Sequence, residues 1–112
     1  MGQYFLDKYS ILHFVTGILW HYMGFDILSL FILHTIFEIV ENSKIGTHII
    51  NTYFKIWPGG KSSTDTLLNI IGDILISLVG WILVDKYFRQ NNIALYFSII
   101  IVCYFWIFRH IL

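Results

Sequence analysis

Two polar patterns interrupt an otherwise hydrophobic chain: Phe37-Glu38-Ile39-Val40-Glu41-Asn42-Ser43, and Asp65-x3-Asn69-x3-Asp73. At helical spacing, each pattern places its polar groups on one face. Carboxylates and amides are costly in hydrocarbon, and they persist there when they pair, bind something or react. Upstream, His13, Thr16, Gly17, Trp20, His21 and Gly24 form a third stripe at the same spacing. The candidate polar cluster is His13, His34, Glu38, Glu41, Asn42, Asp65, Asn69 and Asp73. Stacked carboxylates and imidazoles of this kind can hold a cation, relay a proton or grip a lipid headgroup. They can also bind a divalent metal that activates water or an acyl or phosphoryl group, with ligands drawn from His13, His34, Glu38, Asp65 and Asp73. That mixed oxygen and nitrogen set suits Zn, Mn or Fe. His13, Glu38 and Asp73 head the metal candidates, although no cofactor is required by the pattern.

Composition sets the medium in which such a site would work. Of 112 residues, 57% are hydrophobic, 19% aromatic and only 12% charged, with a mean hydropathy of +0.72. A soluble domain of this size leaves too much surface exposed to hide that apolar content. The reading is therefore an integral membrane protein whose partner is the lipid bilayer. Seven basic and seven acidic residues balance to zero, so nothing points to nucleic acid or to a polybasic lipid-binding tail. The one cysteine, Cys103, excludes an internal disulfide and a cysteine-rich zinc site. Asp7 and Lys8 precede the first apolar run and no small-x-small pattern follows it, so that run reads as an uncleaved signal-anchor.

The elements that must position the polar stripes follow from the charges and the breaks. No basic residue falls between Lys8 and Lys44, and those 35 intervening residues would make about 52 Å of helix. One crossing of a hydrocarbon core needs only about 30 Å. The break belongs at Met23-Gly24-Phe25-Asp26, where Gly24 permits a tight turn and Asp26 can cap the next helix. Spans are expected at about 4–23, 27–41, 66–84 and 93–111. Between the second and third, Ile45, Ile49, Ile50, Tyr53, Phe54 and Trp57 lie opposite Thr47, His48, Asn51 and Lys55. That pattern predicts an interfacial amphipathic helix over about 45–57, stopped by Pro58 and two glycines. Ser62, Ser63 and Thr64 are candidate N-caps for span three, and Asp85 to Asn92 reads as a polar hairpin loop. The fold class is thus all-α: one membrane domain over 1–112, a small bundle of four transmembrane helices plus the interfacial helix.

Basic residues set the orientation. The N-terminus, the long loop and the C-terminus carry Lys8, Lys44, Lys55, Lys61 and Arg109, against Lys86 and Arg89 on the opposite side. Five against two places both termini in the cytoplasm. On this frame His34 and Asp73 lie roughly 10–12 Å inside their span ends. Most of the polar groups then fall in the cytoplasmic half of the bilayer. Four short helices enclose little volume, so a transport path would need a homo-oligomer.

The same residues carry a family resemblance covering roughly residues 9 to 84. The Phe37-Glu38-x-x-Glu41-Asn42-Ser43 motif, the later Asp65-x3-Asn69-x3-Asp73 and an apolar run with Gly80 resemble the uncharacterised bacterial membrane proteins grouped as domain of unknown function 2585. That family has a His near the start of an earlier span, which His13 matches. A looser likeness joins Asp65, Asn69 and Gly72 to the Asp-x3-Asn-x2-Gly element of VanZ-like membrane proteins. Thr64, Ile70 and Ser10 depart from the family pattern, Ser10 standing where it has a further His. The resemblance implies a membrane fold and a site at these residues, and it leaves the activity open.

Several of these residues also have structural readings. Glu41 and Lys44 read as solvated at the membrane boundary, and His48 as wet on a polar helix face. His21 reads as a structural histidine with no carboxylate at its depth. Trp20, Trp57, Trp81 and Trp106 read as packing and interface anchors. Glu38, Asn69 and Asp73 resist this treatment, since a lone aspartate within a span costs roughly 2.5–3.5 kcal/mol. A polar clamp from Glu38 to Asn69 or Asp73 would still account for them. Three classes of function remain open. The leading one is a small binding or carrier site for a cation, proton or lipid headgroup. The alternatives are a membrane-embedded metal-dependent enzyme acting on a lipid-like substrate, and a structural protein using the cluster as glue. No His-Glu-x-x-His and no Gly-x-Ser-x-Gly motif is present to favour an enzyme.

Overall fold

The computed structural model describes residues 3–53 and 65–108. All regular structure among these is helical: α1 (Ser10–Tyr22), α2 (Ile27–Glu41), α3 (Lys44–Tyr53), α4 (Leu67–Leu83), a π-helical turn (Val84–Phe88) and α5 (Ile93–Ile107). The expected continuation of the amphipathic helix beyond Tyr53, the caps at Ser62, Ser63 and Thr64, and the basic residues Lys55, Lys61 and Arg109 lie outside the described residues.

The turn between α1 and α2 forms where the sequence breaks. Gly24 has φ +88°, a region that disfavours side chains. Asp26 then caps α2, accepting from the Ser29 backbone N–H at 2.8 Å. That N–H, seconded by the Ser29 hydroxyl, holds the Asp26 carboxyl below the ordinary carboxylate range. A depressed folded-state value means the cap stabilises the fold above the unfolded pKa near 4. The contribution fades as pH falls through the lower folded value. Asp26→Asn is expected to keep the cap but flatten this part of the acid limb, readable as a smaller drop in Tm between about pH 5 and pH 3.

Three boundaries differ from expectation, the first being the start of α1 at Ser10 and not near residue 4. The cap of α4 is Thr66, whose hydroxyl accepts from the Asn69 backbone N–H. The chain past Val84 does not open into a loop. It continues helically as the π turn, so Asp85 stays aligned with the bundle instead of leaving it.

α1 sits at the centre, packed most extensively on α4 and also on α5, while α2 leans on α4. Close approach of α1 and α4 depends on glycine. A Cβ at Gly17 would overlap the Ser77 backbone carbonyl, and one at Gly80 would overlap the Phe14 carbonyl. α1 and α2, although consecutive, touch little along their length. They are tied by a Trp20 Nε1–H bond to the Ser29 hydroxyl at 3.0 Å and by a histidine contact in mid-helix.

Polarity across the fold is inverted. Among the described residues, eight polar or charged side chains are buried against seven hydrophobic ones. Outward, α2 presents Leu28, Phe31, Leu33, Ile36 and Ile39, each about half exposed or more. Length is a separate matter. Leu67–Phe88, at 22 residues, is the one helical stretch among the described residues long and apolar enough to cross a membrane. α1, α2 and α5 have 13, 15 and 15 residues, about 20–22 Å at 1.5 Å per residue, short of a 30 Å core. Helix length therefore supports one crossing and does not support the four expected from hydropathy.

Candidate functional site

Three side chains meet where α1, α2 and α4 converge. His13 Nδ1 lies 2.9 Å from His34 Nε2. Both nitrogens are 3.3 Å from the same Glu38 oxygen, Oε1. His34 and Glu38 are adjacent because they stand four residues apart on α2, and His13 reaches them across the α1–α2 gap. Glu38 is 0% exposed and His34 6%.

A second ring of contacts orients this triangle. The other nitrogen of His13, Nε2, is 3.2 Å from Asp73 Oδ2 on α4. When ionised, Asp73 can only accept, and it then favours the His13 tautomer with its proton on Nε2 and a lone pair on Nδ1, toward the triangle. Asp73 is itself held by the Ser10 hydroxyl, which donates to Oδ1 at 3.1 Å. The other Glu38 oxygen, Oε2, accepts from Asn42 Nδ2 at 3.4 Å. The same amide also donates to the Glu38 backbone carbonyl at 2.9 Å. Asn42 Oδ1 in turn accepts from the Asp65 backbone N–H at 2.7 Å, which ties the α2 C-terminus to the start of α4.

The dimensions are those of a metal-ligand face. Ligands at about 2.0–2.1 Å from a tetrahedral ion stand roughly 3.3 Å apart, and closer around an octahedral one. The triangle's edges of 2.9, 3.3 and 3.3 Å fall in that range. Two imidazoles and one carboxylate on one face form the set that leaves further coordination positions open. The Asp73–His13 contact supplies the carboxylate–histidine partner that such ligands characteristically have.

The remaining expected site residues are placed as follows. Asp73 stands behind His13, on its far nitrogen. Glu41 and Asp65 lie near Glu38, their carboxylate oxygens within 4.8 Å of one another and of Glu38. Asn69 is buried, but its amide donates to the Tyr4 carbonyl at 2.8 Å and so secures the segment before α1 instead of clamping Glu38. His21, read as lacking a carboxylate, has one: its Nε2 is 3.0 Å from Asp85 Oδ1, which also pairs with Arg89. The signal was the i, i+4 spacing of Asp85 and Arg89, which continues the helix past Val84.

No family model, curated protein or solved structure matches this chain. The likeness to domain of unknown function 2585 and to VanZ-like proteins therefore rests on the quoted motifs alone, and the site's chemistry is read from its own geometry.

Beside the triangle, the gap between α1 and α2 opens as a cleft of about 380 Å³. Leu12, Trp20, Leu30, Leu33 and Phe37 make it apolar, while Thr16, His13 and His34 give it polar points. Glu38 does not reach its wall.

Proposed function

We propose that this chain is a membrane protein that binds one divalent cation through His13 Nδ1, His34 Nε2 and Glu38 Oε1, with Asp73 and Asn42 orienting the ligands. The observation that carries the reading is the convergence of these three atoms within 3.3 Å of one another. Two imidazole nitrogens and a carboxylate oxygen crowd against one another here, with only ring protons to share among them. A cation satisfies all three at once. Charge points the same way. Glu38 and Asp73 are buried acidic groups, the carboxylate oxygens of Glu41 and Asp65 lie within 4.8 Å of those of Glu38, and a divalent cation offsets this crowding of acids.

A bilayer setting is supported by the inverted polarity, with half-exposed apolar side chains outside and Glu38, Asp73 and Ser77 inside. α1, α2 and α5 are short for a full crossing, and a locally thinned bilayer accommodates such helices at fractions of a kcal/mol per Å. Four crossings with both termini cytoplasmic is the topology we propose.

Purified protein dialysed against Zn2+ or Co2+ should retain one ion per chain, and His34→Ala should lose it. Asp73→Asn should weaken binding about 10–100-fold, the usual cost of an orienting partner, while stoichiometry is restored at saturating metal. A polar clamp without a metal is the competing reading, since each contact is also within hydrogen-bond range. Failure of the wild-type protein to retain stoichiometric metal would decide for the clamp.

A further inference from the structure

We infer that the cleft between α1 and α2 takes the acyl ester group of a lipid, its carbonyl oxygen completing the coordination of the cation. The inference rests on the divalent-cation reading and adds the class of ligand. Two of the three coordinating side chains, His13 and His34, form part of the cleft wall. The third, Glu38, is sealed off from it. Coordination positions not taken by protein therefore face the cleft.

The rest of the wall specifies what can occupy it. Leu12, Leu30, Leu33 and Phe37 offer hydrocarbon, and Thr16 provides a hydroxyl near the rim. Thr16 Oγ1 already donates to the Leu12 carbonyl at 2.8 Å, which leaves it as an acceptor only. Leu33 is 51% exposed and Phe37 44%, so the cleft opens onto the apolar outer face of α2. A ligand entering from a bilayer need never leave hydrocarbon. The volume of about 380 Å³ lies within the range of small-ligand pockets.

Charge selects the headgroup. Glu38 and Asp73, with Glu41 and Asp65 close by, already match or exceed the charge of a divalent ion. A neutral oxygen donor can be added without burying a further charge, whereas a phosphate or free carboxylate would leave an uncompensated anion in apolar surroundings. An ester carbonyl attached to an acyl chain meets both conditions.

The test uses Co2+-loaded protein in vesicles of a diether phosphatidylcholine, a lipid that carries no ester. The visible absorption of Co2+ reports its coordination. Monolauroylglycerol should shift this spectrum saturably. Monoacetin, the same ester without a long chain, should need at least tenfold higher concentration, and dodecylglycerol, the ether analogue, should leave the spectrum unchanged. Equal responses to monolauroylglycerol and monoacetin, or to the ester and its ether, would overturn the inference, as would no response to any of them. If Co2+ itself fails to bind before any ligand is added, the cation reading falls instead. The two failures are thus read at different steps.

Discussion

Glu38→Leu is expected to destabilise the protein by about 1–3 kcal/mol, measured by denaturant unfolding in detergent. Glu38 is wholly buried and faces His13, His34 and Asn42. Leucine matches the medium but removes the oxygen that His13 and His34 share and one of the two acceptors of the Asn42 amide, whose bond to the main-chain carbonyl of residue 38 remains. Leaving buried hydrogen-bonding groups without a partner costs about 1–3 kcal/mol, because they remain desolvated. Glu38→Gln separates architecture from binding. With its oxygen toward Asn42 and its NH2 toward the His13 Nδ1 lone pair, the carboxamide still makes two bonds, so the fold should hold to within about 1 kcal/mol. Metal affinity should nevertheless fall by more than the roughly 100-fold upper cost of losing an orienting partner, because an anionic ligand is gone. A glutamine variant that binds metal like the wild type would remove Glu38 from the coordination set.

Gly17→Ala is expected to cost about 2–3 kcal/mol, near the upper end of the usual overpacking range. The added methyl would occupy the position of the Ser77 backbone carbonyl, and backbone cannot move aside as a flexible side chain can. α1 must retreat from α4. Because α1 carries His13 and α4 carries Asp73, the 3.2 Å contact between them opens together with the interface. Metal affinity should therefore drop alongside stability, although Gly17 touches no ligand. Gly24→Ala is the control: nothing lies near its Cβ position, and only the positive φ is strained. It should lower Tm without altering affinity in the folded fraction.

How much of this was legible in the sequence varies residue by residue. Gly24 and Asp26 mark the first turn unambiguously, because a positive φ and an N-cap are local requirements. The stripe that pairs His34 with Glu38 follows from helical spacing alone. That His13 would join them could be anticipated as a shared depth, but not as a distance, which depends on how far α1 and α2 splay. The same holds for Asp73. Depth placed it near His13, while its position on the outer nitrogen depends on the α1–α4 crossing at Gly17 and Gly80. Asn69 has the same polar spacing whether it faces α2 or the chain before α1, and only the fold directs its amide to the Tyr4 carbonyl. Asp85 was hidden by its neighbours, since Asp-Lys-Tyr-Phe-Arg reads as a polar loop until the π turn carries it on as helix. The second span matches α2 and the third runs on to Phe88, while the first starts only at Ser10, because hydropathy does not register where helical hydrogen bonding begins.

The chain separation of the Asp73 contacts bears on the order in which the protein is made. Its two partners, Ser10 and His13, lie 63 and 60 residues upstream. They are synthesised well before α4, and by then α1 and α2 can already be joined through Trp20 and Ser29 and through the two histidines. The first two helices thus form a waiting receptor, and the aspartate of α4 enters against partners already in place. A chain truncated after residue 64 should already hold the α1–α2 hairpin, detectable as resistance to limited proteolysis that Trp20→Phe, which removes the tie to Ser29, lowers. Release of α4 would then be the step that closes the bundle.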